Sequence, residues 1–134
     1  MKEDINPPKA KGVAMAIVPD EKEDGTSGWL VYFINLRVEN LEGVLVRSNG
    51  YGTKDGKQVK TSELRHFLDE VPGFAAAPVE TIVEDVFSLN NQYWVSYWEG
   101  GQMYDRKFVF VADVIQESNF SKIPILNKQG VMIK

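Results

Sequence analysis

An all-β fold is what this sequence predicts: a two-sheet sandwich of seven or eight strands, with one short helix admitted and a closed barrel as the alternative. Three observations lead there. Short runs rich in Val, Ile, Tyr, Phe and Trp are separated by turn-forming pairs, namely Asp24-Gly25, Asn49-Gly50, Asp55-Gly56, Pro72-Gly73, Asn90-Asn91, Gly100-Gly101 and Gln129-Gly130. β-Branched and aromatic side chains suit a pleated surface, while such pairs allow the chain to reverse. Internal repeats and low-complexity tracts are absent, so one domain over 12–134 behind a flexible tail at 1–11 is expected.

Strands are expected at 12–19, 29–37, 43–50, 57–68, 78–87, 92–99, 102–111 and 123–133. The segment 62–71 is ambiguous. Leu64, Phe67, Leu68 and Val71 have the spacing of one helix face, and Ser62 could cap it, yet Pro72-Gly73 ends the run after a few turns at most. Helix and edge strand both fit. A second helical turn could span 112–118, with Asp113 near its start.

The clearest unit is the hairpin from Gln92 to Val111, closed by Glu99-Gly100-Gly101-Gln102. A turn centred on the two glycines, which tolerate positive φ, fixes the pairing. Tyr97 then faces Tyr104, Val95 faces Arg106, Tyr93 faces Phe108 and Asn91 faces Phe110 on the core side. The other side carries Trp98 with Met103, Ser96 with Asp105, and Trp94 with Lys107. Two tryptophans beside charged groups are the unusual feature of this chain.

Composition excludes several function classes. The 134 residues carry a net charge of -4, 43% hydrophobic residues, no cysteine and a single histidine, His66. A chain of this mass buries about two-thirds of its surface on folding, so it needs no disulfide or metal to be stable. Thiolate nucleophiles, zinc ribbons and multi-histidine centres are ruled out by the missing ligands, and neither metal nor cofactor is expected. The longest apolar runs, Val13 to Val18 and Trp29 to Ile34, fall far short of the roughly 20 residues of a membrane helix. With a polar start bearing Pro7 and Pro8, the expected location is the cytoplasm, away from membranes.

Candidate sites follow. Trp94 and Trp98 would stand about 14 Å apart on one side of a strand. With Met103 and Lys107 they form a platform for a protein partner or a second copy of the chain. Coverage by a neighbouring strand is the structural alternative. The segment from Arg47 to His66 is net +3, and Arg47, Lys54, Lys57, Lys60 and Arg65, with Tyr51 for stacking, could hold phosphates. Solvated lysines on an exposed hairpin explain the same residues.

Gly50-Tyr51-Gly52-Thr53-Lys54-Asp55-Gly56-Lys57-Gln58 has neither the phosphate-loop nor the dinucleotide pattern, so its glycines are read as turn residues. His66, with Glu63, Asp69 and Glu70 nearby, is the one candidate general base, but no nucleophile motif accompanies it. The acidic run Asp20, Glu21, Glu23, Asp24 lacks calcium-loop spacing. On a regular strand Glu80 and Glu84 would share a face and Asp85 would point away, giving no convergent carboxylates.

Val31-Tyr32-Phe33-Ile34-Asn35 through Leu41-Glu42-Gly43-Val44-Leu45-Val46 resembles the first hairpin of immunoglobulin-like and fibronectin-type modules. Ser48-Asn49-Gly50-Tyr51-Gly52, Lys60-Thr61-Ser62-Glu63-Leu64-Arg65-His66-Phe67, Tyr93-Trp94-Val95-Ser96-Tyr97 and the ending from Ile123-Pro124 to Lys134 look like a family of short bacterial proteins. Some members of that family carry a phenylalanyl-tRNA synthetase label. A chain of 134 residues is too short for a synthetase core, and no aminoacylation motif matches, so the resemblance implies a fold and no catalytic residues. The expected function is a non-enzymatic binding or assembly module using the tryptophan face. The alternative is a tRNA-linked module using the basic segment, which the overall acidity disfavours.

Overall fold

The computed structural model describes residues 7–21 and 27–134. In chain order its strands are β1 (Val13–Glu21), β2 (Ser27–Asn35), β3 (Leu41–Lys54), β4 (Lys57–Lys60), β5 (Leu64–Val71), β6 (Ala75–Ile82), β7 (Asn90–Glu99), β8 (Gln102–Phe110), β9 (Ser121–Ile123) and β10 (Lys128–Ile133). They form an all-β sandwich of two antiparallel sheets. The first has the order β6-β2-β1-β10-β9, and the second β4-β3-β7-β8 with β5 also on β3. Immunoglobulin domains place their last strand in the sheet of the third and sixth. Here the last strand, β10, lies beside β1 instead, with Met15 opposite Ile133.

Among the described residues ten strands replace the expected seven or eight, for local reasons. The expected 57–68 strand is two, because β4 pairs with the far half of β3 and β5 with its near half, leaving 61–63 to cross between them. The 62–71 ambiguity resolves as strand. A helix would bury Leu64 and Phe67 together on one face, whereas both are exposed along the sheet edge. The expected 123–133 strand is broken by a tight turn in which Ile125 and Asn127 adopt positive φ. β6 stops at Ile82, and a 3₁₀ turn at Glu84–Val86 follows. Of the 112–118 helical turn, only a 3₁₀ turn at Glu117–Asn119 forms.

The Asn49-Gly50 turn is also corrected, since β3 continues to Lys54. Gly50 and Gly52 are strand residues against which the Leu89 side chain packs, 3.5 and 3.4 Å from where their Cβ atoms would stand. Residues 1–6 of the expected tail lie outside the described residues. Pro8 to Ala10 run beside β8, where the Ala10 amide donates to the Asp105 carbonyl at 2.9 Å and the Asp105 amide to that of Pro8.

Alternation along each strand builds the core. Val13, Met15 and Ile17 of β1, with Val31 and Phe33 of β2, meet Val44, Val46, Tyr93, Val95, Tyr97, Phe108 and Phe110 of the second sheet. The opposite side of β1, Ala14, Ala16 and Val18, is buried too, in a smaller cluster with Ile34 and Ile123. Burial on both faces is why Val13 to Val18 is continuously apolar. Among the described residues, no helix is long and apolar enough to cross a membrane.

Two polar devices set the geometry at the ends of the sheets. Buried Asn35 donates through Nδ2 to the carbonyls of Glu39, Pro72 and Val71, and accepts the Arg37 amide at 3.0 Å. It thereby ties the end of β2 to the β5–β6 turn. At the other site, β10 crosses β1 so closely that a Cβ on Gly130 would stand 2.5 Å from the Ile17 carbonyl oxygen. Overpacking against backbone cannot be relieved by a rotamer change. Gly130→Ala is therefore expected to destabilise the fold by about 2 kcal/mol or more, read as a lower urea midpoint; an unchanged midpoint would contradict this close approach.

Candidate functional site

The second sheet presents the tryptophan side of β7 outward. The observed register places Trp98 opposite Met103, Ser96 opposite Asp105 and Trp94 opposite Lys107, as the two-glycine turn predicts. On the other flank Arg47 of β3 faces Trp94, and Arg65 of β5 faces Arg47. A row Arg65–Arg47–Trp94–Lys107 thus crosses four strands, since directly opposed residues share a face.

Trp94 is held firmly. The Arg47 guanidinium carbon lies 4.2 Å from the indole centroid, the Lys107 Nζ 4.9 Å, and Trp94 Nε1 donates to Asp105 Oδ2 at 3.1 Å. Cation–π contact of this kind fixes a half-buried ring with the cations beside it. Trp98 is freer, 49% exposed, with its Cδ1 edge over Gly43. The β3 ladder is irregular there, between Glu42 and Leu45, and Gly43, at positive φ, has no side chain to meet the indole, where a Cβ would stand 3.2 Å from Trp98 Cδ1. Phe67 extends the same face across Leu45 and is 66% exposed.

The basic residues do not form one patch. Arg47 and Arg65 belong to the row just described, and Arg65 is paired with Glu63 at 3.3 Å. Tyr51 and Lys60 are partners further along β3, and Lys54 and Lys57 close the hairpin tip around Asp55 and Gly56, both at positive φ. Sequence proximity had merged two separate groups.

Sequence reasoning missed a third arrangement, centred on Glu80. Its carboxylate bridges the two sheets. Oε1 lies 2.7 Å from His66 Nε2 of β5 and accepts the Ser48 hydroxyl of β3 at 2.8 Å, and Oε2 accepts the Tyr93 hydroxyl of β7 at 3.0 Å. A bulge explains how a strand glutamate gets there. Val31 of β2 opposes Glu80 and Tyr32 opposes Pro78, so Val79 is the extra residue and Val79 and Glu80 both turn into the sandwich. A regular strand would have put Glu80 opposite Leu30, on the outer face. Pro78 beside the irregularity, on an edge strand, was the one available hint.

Glu84 lies apart, its carboxylate 3.5 Å from Trp29 Nε1. Among the described residues, no three His, Asp or Glu side chains gather closely enough to hold a metal ion. Glu23 and Asp24 of the acidic run lie outside the described residues.

Burial, with the neighbouring Glu80 charge and its hydrogen bond adding to it, holds the Tyr93 hydroxyl well above the usual phenol range. Burial also raises Tyr97, against the opposing charge of Arg37 and with Glu99 and Tyr104 adding to the rise. Beside these groups opens a cleft of about 660 Å³, between the end of β6 and the 61–63 crossing of the second sheet. A scan against known protein-family models and a search of curated proteins each find no match.

The tyrosines give a pH prediction with a definite sign. The unfolded chain ionises its phenols near 10.0, whereas the fold keeps Tyr93 and Tyr97 protonated above that value. The native state then binds more protons, so stability is full below about pH 10 and falls as pH rises beyond it, by up to about 1.4 kcal/mol per pH unit per tyrosine. Urea unfolding between pH 9 and about 11.5 checks this, and Tyr93→Phe should flatten the slope.

Proposed function

We propose that the chain is a non-enzymatic binding module whose outer β5-β3-β7-β8 face docks an acidic segment of another protein. The observation that carries this reading is Trp98, a large apolar side chain 49% exposed on the same face as the Arg65–Arg47–Trp94–Lys107 row, in which Arg47 and Lys107 stack on Trp94. Exposed aromatics next to arginines are the side chains that dominate protein interfaces. The row supplies charge to complement acidic groups, and Trp98, Met103 and Phe67 supply apolar contact.

A symmetric homodimer through this face is less well supported. A two-fold axis sets the same patch against itself, and the cationic row would then meet its own copy. Nucleic acid is the second reading, favoured by the cation-flanked indole of Trp94. Against it, Lys54 and Lys57 lie at the hairpin tip, away from that row, and the chain is acidic overall, with a net charge of -4.

The test is photo-cross-linking from a benzoylphenylalanine placed at position 98 in native cells. A polypeptide adduct that survives nuclease and weakens in Arg47→Glu is expected. Adducts lost on nuclease treatment would favour the nucleic-acid reading, and a dimer of the chain itself would favour self-assembly. A reporter at position 98 that gives no more adduct than one at the exposed Val111 overturns the proposal. Trp98→Ala should cost no more than about 1 kcal/mol of stability, whereas Trp94→Ala, losing its cation and Asp105 contacts, should cost about 2–3 kcal/mol in the same denaturation assay.

A further inference from the structure

The cleft beside Glu80 has a polarity that selects its ligand. Three of the hydroxyl protons around it are already committed, while the Ser62 and Thr81 hydroxyls line it as well. Ser48 and Tyr93 direct theirs to the Glu80 carboxylate, and Thr61 Oγ1 accepts the Gly50 amide at 2.7 Å and donates to the Ser62 carbonyl. His66 Nε2, 2.7 Å from Glu80 Oε1, donates there as well, because a carboxylate can only accept.

Asn91 spends its Nδ2 on the carbonyls of Val86 and Leu89, and its Oδ1 lies 3.6 Å from where a Gly50 Cβ would stand, on the cleft side. What Glu80 and its neighbours leave for a cationic ligand is lone pairs. These belong to Glu80 Oε2, which accepts one bond and has capacity for another, to the Ser48 and Tyr93 oxygens, and to Asn91 Oδ1. Among the described residues no lysine or arginine lines the cleft, and Leu64, Ile82, Val83 and Val86 supply apolar walls.

We infer that this cleft is a binding site for a small organic cation, an alkylammonium or alkylguanidinium group whose N–H donors meet Glu80 and Asn91 while its apolar body lies against Ile82, Val83 and Leu64. The volume, about 660 Å³, is that of ordinary small-molecule sites. Anions meet a carboxylate there, with no lysine or arginine among the described lining residues to offset it. Neutral alcohols can donate only one proton to an acceptor-rich floor. The inference is independent of the outer-face reading, because Ser48 and Tyr93 point inward while their neighbours Arg47 and Trp94 point outward.

The experiment is an amide-resolved NMR titration of the whole chain with n-pentylammonium, matched by pentanoate and pentanol, with a lysine carrying blocked termini as the form a protein-borne amine would take. Saturable shifts at Gly50, Ser62 and Asn91 are expected with pentylammonium, and none with pentanoate. Glu80→Gln should weaken binding about tenfold or more. If that variant does not fold, Val83→Lys decides, because Val83 is 61% exposed and lies outside the Glu80 hydrogen bonds. There the added cation should repel pentylammonium and leave pentanol unaffected. Pentanoate binding as tightly as pentylammonium, unchanged affinity in a folded variant, or no saturable shift by roughly 50 mM amine overturns the inference. Preference for the blocked lysine over pentylammonium would support the site and assign its ligand to a polypeptide.

Discussion

One carboxylate sets the relation between the two sheets. Glu80 stands on an edge strand of the first sheet and reaches His66, Ser48 and Tyr93 on three strands of the second. A largely buried charge is costly unless it is hydrogen-bonded, and three donors aimed at one carboxylate meet that requirement only if the sheets hold a single distance and angle. Apolar packing alone would tolerate some sliding of one sheet over the other. The Val79 bulge is therefore an orienting device, since without it the carboxylate would face away from all three donors.

The same strands that receive Glu80 also build the outer face. Adjacent residues serve opposite sides: Arg47 outward and Ser48 inward on β3, Trp94 outward and Tyr93 inward on β7. The inner contacts hold β3 and β7 in register, and that register stacks Arg47 and Lys107 over Trp94. Rigidity inside the sandwich thus becomes preorganisation outside it. Under the proposed docking, a partner meeting this row need not order Arg47 and Lys107 itself, which lowers the entropic cost of association.

Much of this was legible in the sequence, where a local rule governed. The β7–β8 register followed from two glycines and a period of two, and it placed Trp94, Trp98, Met103 and Lys107 on one face. What escaped reading were departures from regularity. The Val79 bulge turned Glu80 inward and gave it partners 13 to 32 positions away in sequence, a relation that no spacing rule encodes. Likewise, the basic segment looks continuous in the chain but divides once β4 and β5 take different halves of β3. The ambiguity at 62–71 had the same origin. A helical spacing of apolar residues was overridden by the unpaired edge of β3, which a strand satisfies and a helix does not.

The position of β10 has a consequence for how the molecule is made. β3, β4, β5, β7 and β8 follow one another along the chain with only β6 intervening, so the second sheet can assemble from a nearly continuous stretch. The first sheet cannot, because β1 must wait for a partner whose paired residue, Ile133 for Met15, lies 118 positions further on. During synthesis, one edge of β1 stays open until the last strand emerges, and closing so long a loop is slow. Linking β10 directly to β1 and opening the chain at the hairpin tip near Asp55 would make these two strands neighbours in sequence as well as in space. Such a circular permutant would convert the slowest closure of nascent folding into a local hairpin.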